Sequence, residues 1–81
     1  MFYVYAIKSL SKNYIYVGLT KNVIKRFHQH NKGWNKTTRP FAPYLLIYSE
    51  AFADRKLARV HEKQLKTSAG KRYLRSIASS L

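Results

Sequence analysis

Residues 2–9, FYVYAIKS, alternate Phe2, Val4 and Ala6 with Tyr3, Tyr5 and Ile7. A period of two in aromatic and β-branched residues predicts a strand with both faces partly covered. LSKN follows as a turn, and YIYVGL alternates again, with Tyr14, Tyr16 and Gly18 on one face and Ile15, Val17 and Leu19 on the other. So short a link predicts a hairpin that sets Tyr5 and Tyr16 on a common sheet face. From about Thr20 to Asn31 the period becomes helical. Val23, Ile24 and Phe27 form a narrow apolar stripe, Thr20 or Asn22 is available as N-cap, and Asn22, Arg26 and His30 form a polar row beside the stripe.

NKGWNKTTRPFAP holds Gly33, Pro40 and Pro43 and reads as a loop carrying Lys32, Lys36 and Arg39, with threonines and cations able to contact phosphate. YLLIYSE is the most continuous apolar run and predicts a strand buried on both faces, at the sheet centre or its covered side. A second helix, roughly Asp54 to Lys66, places Leu57, Val60, His61 and Leu65 at helical spacing, with Asp54 suited to its positive N-terminus. TSAG breaks the pattern. A last helix from about Gly70 groups Tyr73, Leu74, Ile77, Ala78 and Leu81 on one face, with Lys71, Arg72 and Arg75 elsewhere. The order β-β-α-β-α-α predicts an α+β fold, a three-stranded antiparallel or mixed sheet flanked by helices.

Composition narrows the partners more than it narrows the fold. Eighty-one residues predict one domain, 1–81, in which every large apolar residue is needed. No cysteine is present, which removes a disulfide framework and a thiolate zinc site and fits a cytoplasmic protein better than a secreted one. No apolar run approaches the roughly 20 residues of a membrane span, and the start MFYVYAIKSL lacks a signal peptide's basic and apolar regions. Sixteen Lys and Arg against three Asp and Glu give a net charge of +13, which calls for an anionic partner. Nucleic acid is the partner this implies, through phosphate contacts and counterion release, with Lys21, Lys25, Lys32, Lys36, Arg39 and Lys71 as candidate contacts. A membrane surface fits less well, because the cations are spread over all segments rather than gathered on one amphipathic helix.

Few residues are available for chemistry. The carboxylates are Glu50, Asp54 and Glu62. Asp54 reads as a helix cap and Glu50 as an ion-pair partner, whereas Glu62, in mid-helix, is either a partner of Lys66 one turn on or a metal ligand of the kind Mg²⁺ takes singly or in pairs. Arg26 and His30, four apart, either hold a phosphate or form a solvated row. Tyr5 and Tyr16 are either an aromatic cross-strand pair or phenols whose ionised form nearby cations favour. Neither GxxxxGK[ST] nor GxGxxG occurs, and no serine sits in a GxSxG turn.

Taken together, YVY at Tyr3 to Tyr5, YVG at Tyr16 to Gly18, then Arg26, His30 and Glu62 within HEKQLK resemble the GIY-YIG nuclease superfamily. The likeness runs through HNKG and TTRP and is greatest to small stand-alone bacterial members, similar to the N-terminal nuclease domain of the excision-repair endonuclease. It implies a three-stranded antiparallel sheet flanked by helices, and hydrolysis of DNA phosphodiester bonds with Mg²⁺ or Mn²⁺, in repair or recombination. By that resemblance Tyr5, Tyr16, Arg26, His30 and Glu62 are catalytic. Glu62 holds the metal, Tyr16 with Tyr5 deprotonates a water, Arg26 donates to a phosphate oxygen, and His30 is a second donor or a proton shuttle. Tyr3 stands where the first motif has glycine, and Val17 replaces isoleucine. With no recognition domain attached, a protein partner would supply specificity. The competing reading is a non-catalytic basic module that binds nucleic acid on the same fold.

Overall fold

In the computed structural model, which describes residues 1–81, the predicted hairpin forms from β1 (Phe2–Ser9) and β2 (Ile15–Thr20). The two strands are antiparallel, with Tyr5 opposite Gly18 and Ile7 opposite Tyr16. Ser9 closes the turn: its hydroxyl accepts from the N–H groups of Ser11 and Lys12 and donates to the Phe41 carbonyl at 2.6 Å. β3 (Tyr44–Phe52) pairs antiparallel with the other edge of β1, so the strand order is β2-β1-β3.

That order corrects the placement of YLLIYSE at the sheet centre. The central strand is β1, where Val4 to Ile7 are all fully buried, and β3 is an edge strand with Leu45 and the stretch from Ser49 to Ala51 exposed. The long apolar run has a different cause. Ala6 pairs with Tyr48 but Ile7 pairs with Leu46, leaving Ile47 as the extra residue of a β-bulge. Leu46 therefore packs with Tyr5 and Tyr44 on one face, while Ile47 and Tyr48 both turn to the other. Consecutive apolar residues serve opposite faces in an irregular register.

A helix or pair of helices covers each face. α1 (Val23–Asn31) supplies Val23 and Phe27 to the side of Tyr5, Ile7 and Tyr44. α2 (Arg55–Leu65) and α3 (Ser68–Ser79) supply Ala58, Leu65 and Leu74 to the side of Val4, Ala6, Ile15, Val17 and Ile47. The fold is α+β in the order β-β-α-β-α-α. No helix is long and apolar enough to cross a membrane.

Helix boundaries and faces depart from the sequence expectation in ways that packing explains. α1 starts after Asn22, whose side chain accepts from the Lys25 N–H, and its Ile24 is exposed rather than part of the stripe. α2, capped by Asp54 as expected, turns Ala58, Glu62 and Leu65 inward, leaving Leu57 and Val60 exposed. The small Ala58 side chain lets the helix backbone come close to the sheet. α3 begins at Ser68, two residues before the expected start, because Thr67 caps it by accepting from the Gly70 N–H at 3.1 Å. Gly70 is needed inside the first turn: a Cβ there would collide with the backbone of Gln64 and Leu65 at the end of α2. Leu74 is the buried centre of α3's inner face, and Tyr73 and Leu81 are exposed instead of belonging to it.

Candidate active site

Tyr5 comes from the middle of the central strand, and its ring lies across Gly18 on β2. A Cβ at Gly18 would stand 2.5 Å from the Tyr5 hydroxyl oxygen, so only glycine lets the ring occupy that place. Tyr16, two residues earlier on β2, projects from the same face with its ring centroid 6.4 Å from that of Tyr5. His30 enters from the last turn of α1 and is buried between them, 5.0 Å from Tyr16 and 5.8 Å from Tyr5 by ring centroids. The polar row expected along α1 is thus solvated only in part. Its first member caps the helix, its second is exposed, and its third is inside.

Both ring nitrogens of His30 are engaged. Nε2 lies 2.7 Å from the Tyr5 hydroxyl and Nδ1 lies 2.8 Å from Thr38 Oγ1. Thr38 Oγ1 donates in turn to the Asn35 carbonyl at 3.4 Å, leaving its lone pairs for an Nδ1–H donor. One direction satisfies the whole chain: Tyr5 donates to Nε2, Nδ1–H donates to Thr38, and Thr38 donates to Asn35. His30 is then neutral. Its pKa is lowered first by burial and then by the Arg26 charge, which favours the same state. Burial first and Tyr16 second push the Tyr5 hydroxyl up to about 12, against the pull of Arg26, while the charge of Glu62 adds to the rise. Tyr44 fixes the loop by donating from its hydroxyl to the Thr38 carbonyl at 2.6 Å.

Beside this buried chain the surface is open and basic. Arg26, Gln29, His30, Trp34 and Asn35 line one depression, and Arg26 and Gln29 also border a second with Thr20, Lys21, Asn22 and Lys25. Two tyrosines, a histidine and an arginine therefore meet at the junction of β1, β2 and α1. The family model of the GIY-YIG catalytic domain matches residues 1–74. The chain belongs to the GIY-YIG family. It is similar to a UPF0213 protein of Staphylococcus haemolyticus, 36% identical over 76 residues that cover 93% of this chain and 92% of the relative. It is also similar to a UPF0213 protein of Clostridium perfringens, 35% identical over 80 residues that cover 98% of this chain and 85% of the relative. No solved structure matches the chain significantly.

GIY-YIG domains are typically nucleases, and the remaining residues singled out in the sequence divide on this scaffold. Glu62 lies on α2, whose apolar residues pack against the opposite sheet face, and it makes no hydrogen bond to the tyrosines or His30. Its link to them is electrostatic, through its effect on Tyr5. The Glu62 side chain is 7% exposed, 3.4 Å from Arg59 and 3.2 Å from Lys66, the second being the turn-spaced pair the sequence allowed. Both cations are more than half exposed, so they can swing into water and release the carboxylate. A single acid of this kind fits a divalent ion that takes its other ligands from water and phosphate.

Of the candidate phosphate contacts, Lys21, Lys25, Lys32, Lys36 and Arg39 are exposed. Lys21 also stands over the Phe2 ring, 5.3 Å from its centroid. Lys71 is a correction. Its amine is half-buried and donates to the Ile15 carbonyl, and burial lowers its pKa, so it braces α3 on β2 instead of offering a free charge. The TTRP threonines also divide. Thr38 is fully buried behind His30, while Thr37 is exposed. Thr38 had a sequence signal only through the TTRP block, as a phosphate contact rather than a partner of His30, and Asn35 had none beyond its place in a polar loop. Glu50 accepts from the Tyr48 hydroxyl at 2.6 Å and sits 3.7 Å from His61, on the far side of the sheet from α1.

Proposed function

We propose that this chain is a divalent-metal-dependent endonuclease that hydrolyses DNA phosphodiester bonds. The observation that carries the reading is the Tyr5–His30–Thr38 chain set beside Tyr16 and the exposed Arg26. Tyr16 is half-buried with its hydroxyl outside that chain, so it is the phenol able to touch an attacking water. Tyr5 is buried, with its pKa raised to about 12, and serves as a positioning residue. It donates a hydrogen bond to His30 Nε2, which leaves its oxygen lone pairs free to accept a proton relayed through Tyr16.

When Tyr16 takes a proton from the water and passes it to the buried Tyr5, the Tyr5 proton can move to Nε2. His30 becomes positive and is held by Thr38. Arg26 binds a non-bridging phosphate oxygen through its planar pair of N–H donors, where negative charge rises in the transition state. Glu62 would hold the metal, Mg²⁺ or Mn²⁺, which when bound supplies Lewis acidity toward the phosphate and acidifies water. Lys21 and Lys25, which border the same depression as Arg26, hold the flanking phosphates.

The test is incubation of purified protein with labelled single-stranded, duplex and branched DNA in Mg²⁺, Mn²⁺ or chelator. Products that form only with metal, and that Glu62→Ala and Glu62→Gln abolish, support the reading. Binding without cutting on every substrate selects a non-catalytic nucleic-acid module. Cutting that survives Glu62→Ala removes Glu62 from the metal site.

A further inference from the structure

Trp34 is the only tryptophan of the chain, and 68% of it is exposed. The backbone beneath it is firmly held. α1 ends in a Schellman motif, with the Gly33 N–H bonded to the His30 carbonyl at 3.1 Å and the Trp34 N–H reaching back to the Gln29 carbonyl at 3.1 Å. Gly33 has the positive φ of 78° that this turn requires. Arg39 Nε donates to the Gly33 carbonyl at 2.8 Å and ties down the far side of the loop. In such turns the residue after glycine commonly packs on an apolar side chain one turn back. Here the residue one turn back is Gln29, and the indole stays outside.

A large apolar ring on a fixed backbone, given nothing of its own chain to cover it, is placed for something else. It lines the same depression as Arg26, Gln29, His30 and Asn35. We infer that Trp34 is a stacking platform for one unpaired base next to the phosphate that Arg26 holds, so that the substrate is DNA whose strand is single or opened at the cut. The inference rests on the nuclease reading for the identity of the polymer. A base inside a duplex is already stacked on both faces, whereas an unpaired base has a free face to offer an indole. Stacking of this kind tolerates any base. Gln29, with an amide that can both donate and accept, is placed to meet the edge of the stacked base.

With no other tryptophan present, indole fluorescence reports on this position alone. In chelator, where no metal-dependent cutting occurs, the protein is titrated with oligothymidylate, with an abasic phosphodiester chain of equal length, and with a blunt duplex. Oligothymidylate is expected to quench the indole, while the abasic chain and the duplex bind with little quenching. Trp34→Ala is expected to weaken oligothymidylate binding about five- to 150-fold, the range for losing one base–aromatic stack, and to leave the abasic chain unaffected. Trp34→Phe should retain most of the affinity. Equal losses on both chains, no loss on oligothymidylate, or equal quenching by the blunt duplex would overturn the inference. The readout is binding, so a protein that stacks bases but never cuts would refute the nuclease reading alone. Metal-dependent cutting by a Trp34→Ala variant with undiminished oligothymidylate affinity would refute the stacking alone.

Discussion

Gly18→Ala probes the tightest contact in the site. The added methyl would lie 2.5 Å from the Tyr5 hydroxyl oxygen, 2.6 Å from Cζ and 2.8 Å from Cε1, well inside contact distance. Tyr5 cannot easily yield, because it is fully buried and its hydroxyl is held by His30 at 2.7 Å. Overpacking of a fixed core costs about 1–3 kcal/mol. Forcing the hydroxyl off His30 adds about 1 kcal/mol, and replacing a strand glycine returns roughly 0.5–1 kcal/mol. The net loss is therefore about 1–3 kcal/mol by these terms, or roughly 5–20 °C in Tm for a domain of this size. Thermal and urea unfolding measure it, and cleavage of the same variant should fall because the Tyr5–His30 geometry is lost. The decisive comparison is a double-mutant cycle with Tyr5→Leu, which removes the far edge of the ring. In that background Gly18→Ala should become neutral or stabilising. If Gly18→Ala costs the same in both backgrounds, or costs nothing in the parent, the ring does not depend on the missing side chain and the account of this glycine is wrong.

Arg26→Ala should slow single-turnover cleavage by about 10²–10³-fold, the scale for losing one preorganised oxyanion donor, with DNA affinity nearly unchanged because many other cations remain. Arg26→Lys should recover only part of the rate, and a loss of cleavage merely proportional to lost binding would place Arg26 in the general basic surface. Thr38→Val should cost about 1–3 kcal/mol in urea unfolding by stranding the His30 Nδ1–H, with Thr38→Ser restoring it; parent-like stability in the valine variant would mean that the His30 ring does not depend on Thr38. The lowered pKa of folded His30 means that the unfolded chain binds the proton first, near pH 6.5. Its contribution is thus full above about pH 6.5 and lost as pH falls toward the folded pKa, by at most about 1.4 kcal/mol per unit. Urea titrations across that window should show the loss in the parent and a shallower one in His30→Gln; identical slopes would mean that His30 titrates as it does in the unfolded chain.

Most of the fold was legible because it is local. The two alternating stretches, their short link and the Asp54 cap depend on neighbours in sequence, and they formed as read. What failed required knowledge of the partner surface. The run at Tyr44–Tyr48 looks like a central strand only if its alternation is regular, and a bulge cannot be seen in the residues that make it. The α2 stripe was rotated because Ala58 and Glu62 do not score as apolar anchors, although a small residue and a long acid can both sit at the sheet. In the site, the order of Tyr5, Tyr16, Arg26 and His30 was visible, but the burial of His30 was not, because it depends on Thr38 from a loop without a repeating pattern. Lys71 looked like any other surface lysine, and its partner is a carbonyl 56 positions away along the chain.

The bulge at Ile47 also bears on how copies of this chain meet one another. β3 is nine residues long, lies at the sheet's margin and contains neither lysine nor proline, and such a margin invites a neighbouring strand to zip onto it. In the free protein the charge of +13 holds copies apart. A bound polyanion cancels that repulsion while crowding several copies along one strand, just when self-association would do most harm. The kink keeps working when the charge no longer does. One extra residue throws the outward amides and carbonyls of β3 out of step, so no straight strand can match the whole row, and crowding on nucleic acid need not end in a shared sheet.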